Sequence, residues 1–151
     1  ARLADIHIST ADLTAGKLGS THGRTILIDT DAAGHGWFID RTPADHSEFR
    51  LRGDGLMVAT PGSAAHGKMD LLTVVTHEIG HVLGFGHGEA GQFKVMDDHL
   101  DAGVRHLPGI ESTAVNWIMP TALREVLNAR DIFRSFRELF ALQFKRGRWL
   151  N

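Results

Sequence analysis

The stretch from Leu71 to His87, LLTVVTHEIGHVLGFGH, departs in period from everything before it. Leu71, Leu72, Val75, Ile79, Val82 and Leu83 recur at three- and four-residue spacing, the pattern of an amphipathic helix. Asp70 stands where an N-cap belongs, and Gly84 stands where a left-handed glycine closes a helix. The expectation is one helix of about four turns, running from Asp70 to Gly84. On such a helix His77 and His81 lie about 40° apart on one face, one turn above the other. That places two imidazoles where a single zinc can accept both. Glu78, rotated about 100° from His77, suits a general base better than a ligand. Gly84 lets the chain reverse, and His87 arrives as a third ligand, leaving the fourth position that a catalytic zinc keeps for water.

Ahead of the helix the period is two. Ile6 and Ile8 alternate with polar neighbours in ADIHISTADL, Ile26 and Ile28 do so in RTILIDTD, and GWFID and GLMVAT are shorter strand candidates. Gly, Asp, Pro and Ser clusters separate them as loops. After the helix come a glycine-rich loop, GFGHGEAGQF, and a segment without clear period, KVMDDHLDAGVRHLPG. Beyond Pro120 the chain reads as helical, with Phe133, Phe136, Phe140 and Phe144 forming a core-facing stripe. The fold class expected is α+β: a small twisted mixed sheet on an active-site helix, then a largely irregular and helical C-terminal subdomain. At 151 residues this is one domain, with an N-terminal subdomain over 1–87 and a C-terminal one over 88–151.

Composition narrows the chemistry. With no cysteine there is no disulfide framework, thiolate nucleophile or cysteine-held zinc, so a transition metal must be held by imidazoles and carboxylates. No apolar run approaches the eighteen or so residues that would span a bilayer. The net charge of −2 conceals a basic segment, six Arg or Lys against Asp131 and Glu138 over residues 130–151. Spread that thinly, the charges read as a solvated helix face rather than a nucleic-acid interface.

His77-Glu78-x-x-His81-x-x-Gly84-x-x-His87 matches the extended signature H-E-x-x-H-x-x-G-x-x-H, so the chain resembles the metzincin metallopeptidases, most closely their matrixin and serralysin branches. The resemblance implies a secreted zinc endopeptidase, or a peptidase module of a longer exported protein. His77, His81 and His87 would be the zinc ligands and Glu78 the base acting on a zinc-bound water. Met96 in KVMDD would be the methionine of the turn beneath the metal, with Met119 as second choice. Asp97, Asp98, His99 and Leu100 would line the specificity pocket. The chain has no tyrosine, so the tyrosine that some metzincins place after the methionine turn is missing, which favours the matrixin-like branch. A peptide substrate would add as an extended strand to a sheet edge near RTILID or GLMVAT. Two alternatives share these residues: a binding or structural module with little activity, and a domain that cleaves its own parent chain.

A second metal is also suggested. In DTDAAGHGWFID, Asp29, Asp31 and Asp40 occupy positions 1, 3 and 12 of a calcium-type loop with Gly34 at position 6. Position 5 is Ala33, position 12 is Asp rather than Glu, and no flanking helices are expected. His35 and His46 are candidates for a structural metal site, although the familiar spacing is absent.

Overall fold

The computed structural model describes residues 5–43, 45–52, 56–87 and 94–106. The expected helix beyond Pro120, its phenylalanine stripe and Met119 lie outside the described residues, as does most of the proposed C-terminal subdomain.

Three strands form the first sheet: β1 (His7–Ala11), β2 (Gly19–His22) and β3 (Thr25–Asp29). Their order is β1-β3-β2, with β1 parallel and β2 antiparallel to the central β3, so the sheet is mixed. β2 and β3 join through Gly23-Arg24. Gly23 has φ +61°, the left-handed geometry that a type II′ hairpin asks of its first central residue. Ile26 and Ile28 point one way from β3 and are buried. The cross-strand partners of these isoleucines on β2 are Thr21 and Gly19, which therefore share that face.

The remaining strands are short. β4 (Trp37–Phe38) runs parallel to β7 (Met69–Asp70), while β5 (Phe49–Leu51), β6 (Met57–Ala59) and β8 (Val104–Arg105) make an antiparallel group in the order β5-β6-β8. The single small sheet expected is thus divided into three pairings among the described residues. RTILID is the centre of the first sheet, and the GLMVAT segment contributes the centre of the third. The strand next to RTILID, β2, is an edge of the first sheet.

Helix α1 (Leu71–Val82) follows β7 directly. Asp70 caps it as expected: its carboxylate accepts the Thr73 N–H at 3.1 Å and the Thr73 hydroxyl at 2.7 Å. Leu71, Leu72, Val74, Val75 and Ile79 are buried, and each large apolar side chain contributes about 1.5–3 kcal/mol. The helix packs on β2 and β3 and on a 3₁₀ turn at Lys94–Met96.

The start of α1 is anchored by a residue that the sequence does not single out. Arg105, fully buried on β8, grips Asp70 with two hydrogen bonds, Nη2 to Oδ1 at 2.8 Å and Nε to Oδ2 at 3.0 Å. Its Nη1 lies 2.7 Å from Asp40 Oδ2 as a second ion pair. The guanidinium sits 4.2 Å from the Phe49 ring centroid and 5.6 Å from that of Phe38. Burial alone would lower the guanidinium pKa, but the carboxylates of Asp70 and Asp40 outweigh it and hold Arg105 above its ordinary value.

Candidate metal centre

Three chain segments converge at the C-terminal end of α1. Gly84, at φ +95°, closes the helix in a Schellman motif: the Phe85 N–H donates to Gly80 O at 3.0 Å and the Gly84 N–H to His81 O at 3.0 Å. The reversed chain brings His87 back over the face carrying His77 and His81. The three Nε2 atoms then stand 3.0 Å (His81–His77), 3.0 Å (His81–His87) and 3.1 Å (His77–His87) apart. Among the described residues this is the group of three ligand-type side chains that could hold a metal.

The donor set fits zinc. His77 Nδ1 is 2.8 Å from Val95 O, and His81 Nδ1 is 2.8 Å from Phe85 O. A carbonyl only accepts, so each Nδ1 carries the hydrogen and each neutral ring presents a bare Nε2 lone pair. Lone pairs facing one another at this spacing repel, and a shared cation turns the arrangement favourable. Nitrogens held tetrahedrally about 2.0–2.1 Å from one zinc stand about 3.3–3.4 Å apart, within a few tenths of an ångström of the spacing here. The backbone carbonyls also fix ring orientation, as outer hydrogen bonds do around bound metals.

Burial holds the His77 imidazole below its ordinary value of 6.5; the Val95 carbonyl opposes the shift, and His81 and His87 add to it. The folded chain therefore refuses a proton that the unfolded chain accepts. In the metal-free protein this contribution to stability is complete above the unfolded value of 6.5 and is lost as pH falls through the depressed folded value. Urea midpoints of the metal-free chain should therefore decline as pH drops below 6.5, and a flat profile would contradict it.

Glu78, only 5% exposed, faces β2. Thr21 Oγ1 lies 2.6 Å from its Oε2 and 3.1 Å from its main-chain carbonyl. A Cβ built on Gly19 would fall 2.5 Å from Glu78 Oε1, so glycine is required for the carboxylate to lie there. Gly80 plays the same part on another face, since a Cβ there would collide with Sδ of buried Met96. Met96 thus lies directly against the helix between the two histidine positions, and the Val95 carbonyl beside it orients His77. Gly80→Ala should push Met96 out of place and cost about 1–3 kcal/mol, measured by urea unfolding; an unchanged midpoint would show that the contact is slack.

A cleft of about 1150 Å³ opens at this point, lined among others by Gly19, Thr21, His77, Glu78, His81 and His87. Asp97, Asp98, His99 and Leu100 line it as well, so the four expected pocket residues come to the same cavity. That volume suits a chain segment or a drug-sized ligand. Gly19, Thr21 and Gly80 were not legible in the sequence.

The calcium-loop expectation finds no support. Asp29 is buried, with its carboxylate taken by main-chain N–H groups of Leu13 at 2.8 Å, Ala33 at 2.8 Å and Asp31 at 3.3 Å. Burial would raise its pKa, but these amides, led by that of Ala33, hold it below the ordinary value. Asp31 accepts the Gly34 N–H at 2.9 Å, and Asp40 is committed to Arg105 and to the Thr42 N–H at 2.8 Å. The three carboxylates thus serve turns and an ion pair. His35 lies along the cleft, whereas His46 Nδ1 stands 3.4 Å from Arg105 Nη1, so the two do not share a site.

A family model described as Matrixin, peptidase family M10, matches residues 4–105. Neither the curated proteins nor the solved structures yield a match. That one match spans the strands, the helix, the three converging histidines and the 3₁₀ turn that carries Met96 alike, well over half of the chain, and so the chain belongs to the matrixin family of metzincin-type metallopeptidases.

Proposed function

We propose that the chain is a zinc-dependent endopeptidase in which His77, His81 and His87 hold the metal and Glu78 is the general base. The observation that carries this reading is the convergence of three Nε2 atoms, those of His77 and His81 oriented by backbone carbonyls, beside a buried carboxylate in an open cleft. Zinc, when bound, lowers the pKa of a water towards about 7 and polarises a carbonyl. Glu78 accepts the proton as water attacks the scissile carbonyl and passes it to the leaving amine. Met96 supports the metal site from beneath, and Asp97 to Leu100 form one wall of the substrate pocket.

The substrate lies along β2. The Asp29 N–H donates to Leu18 O at 2.9 Å, and with the β2–β3 register this makes Leu18, Ser20 and His22 the residues bonded to β3. The main-chain N–H and C=O of Gly19 and Thr21 therefore face the outer edge of β2, where no other described strand pairs. An extended peptide can add there. No described helix is long and apolar enough to cross a membrane; placement outside the cell rests on family membership.

The test is cleavage of a denatured protein by the zinc-loaded chain. Activity that a chelator removes and zinc restores is expected, and cleavage that survives chelation would overturn the reading. Mixing active chain with a tagged, inactive Glu78→Ala chain would show whether one copy cleaves another.

A further inference from the structure

We infer that Thr21 is a positioning residue for Glu78, and that β2 both docks the substrate by its main chain and aims the base by its inner side chains. This rests on the peptidase reading above. Gly19 and Thr21 are two apart on one strand and so present the same face. That face carries no apolar stripe of its own: one position is an empty slot for Oε1, and the other is a hydroxyl at 2.6 Å from Oε2.

A threonine hydroxyl has one proton to give. At 2.6 Å the contact to Glu78 Oε2 has the length of a charge-assisted O–H···O⁻ bond, shorter than the 3.1 Å to the Glu78 carbonyl. The carboxylate is therefore held at Oε2 by a donor, while the missing side chain at Gly19 leaves room for Oε1. α1 fixes only the Cα of Glu78, and a glutamate has three further torsions before its oxygens. β2 removes that freedom.

The outward main-chain groups of the strand belong to these same two residues, which predicts how a side-chain change divides. Docking by strand addition uses backbone only, so loss of the Thr21 hydroxyl should spare KM and strike kcat. A catalytic group displaced by about 1 Å loses about a hundredfold in rate.

Three variants test this in the full zinc-loaded chain: Thr21→Val, which keeps shape and β-branching, Thr21→Ser, which keeps the hydroxyl, and Glu78→Ala. Thr21→Val should lower kcat by about ten- to a hundredfold, with KM within about twofold and zinc content unchanged. Thr21→Ser should restore kcat to within about threefold of wild type. Wild-type kcat in Thr21→Val, or a serine variant as slow as valine, overturns the inference.

Urea unfolding of the metal-free chain supplies a readout independent of activity. Thr21→Val should lower the midpoint more in wild type than in the Glu78→Ala background, where only the main-chain acceptor remains. Equal shifts in both backgrounds overturn the contact. Should the loaded wild type cleave nothing, the peptidase reading fails, and the positioning role with it, while the unfolding comparison still decides whether Thr21 binds Glu78.

Discussion

Glu78→Ala is expected to retain zinc and fold while losing about 10²–10⁴ in kcat, the usual worth of a positioned acid–base group. Zinc is retained because the three Nε2 atoms and the carbonyls that orient His77 and His81 are untouched by the change. Fold is retained because the Thr21 hydroxyl keeps the Glu78 main-chain carbonyl, at 3.1 Å, as an acceptor. The space vacated lies beside Gly19 and opens to the cleft, so water can enter and no dry cavity forms. Steady-state kinetics on a peptide, with metal analysis of the same sample, checks both halves. Activity within tenfold of wild type would mean that another group takes the proton, and loss of zinc would mean that the carboxylate helps hold the site.

The second large effect concerns stability. Arg105 neutralises two buried carboxylates, Asp40 and Asp70, and Asp70 is also the cap of α1. Arg105→Met fills similar volume between Phe38 and Phe49 but leaves both charges buried without a cation. Breaking a buried ion network by removing one partner costs about 3–5 kcal/mol. Against a total stability of about 5–15 kcal/mol for a domain, that is enough to leave much of the chain unfolded at moderate temperature. Adding Asp40→Asn and Asp70→Asn should recover part of the loss, since asparagine still caps a helix and neither amide carries charge. Urea unfolding of the single and triple variants measures this. A loss under about 1 kcal/mol for Arg105→Met would show that solvent reaches the network.

These two sites differ in how far the sequence disclosed them. The helix, both of its caps and the three histidines were legible because their determinants are neighbours in the chain. Asp70, Thr73, His77, His81 and Gly84 act on one another across three to seven residues, and local rules govern such distances. Met96 was singled out by resemblance alone, and its packing against Gly80 emerges only when the two meet.

β2 was missed for a physical reason. GSTH shows no apolar alternation because the inner face of the strand receives a carboxylate instead of a core. The edge strand β2 lies beside RTILID, and the more apolar segments form the centres of their sheets. Arg105 was missed because its partners lie far off, Asp70 being 35 residues away. The aspartates of DTDAAGHGWFID looked like metal ligands because Asx turns and calcium loops use the same spacing, and only their hydrogen bonds separate the two.

The zinc content of the purified chain after exhaustive dialysis, compared with that of His81→Ala, tests the central claim most directly. About one zinc per wild-type chain is expected, as a three-histidine site holds, with loss of that zinc in a folded His81→Ala variant. A wild-type chain that binds no zinc when it is supplied, or zinc that persists undiminished without His81, would contradict it.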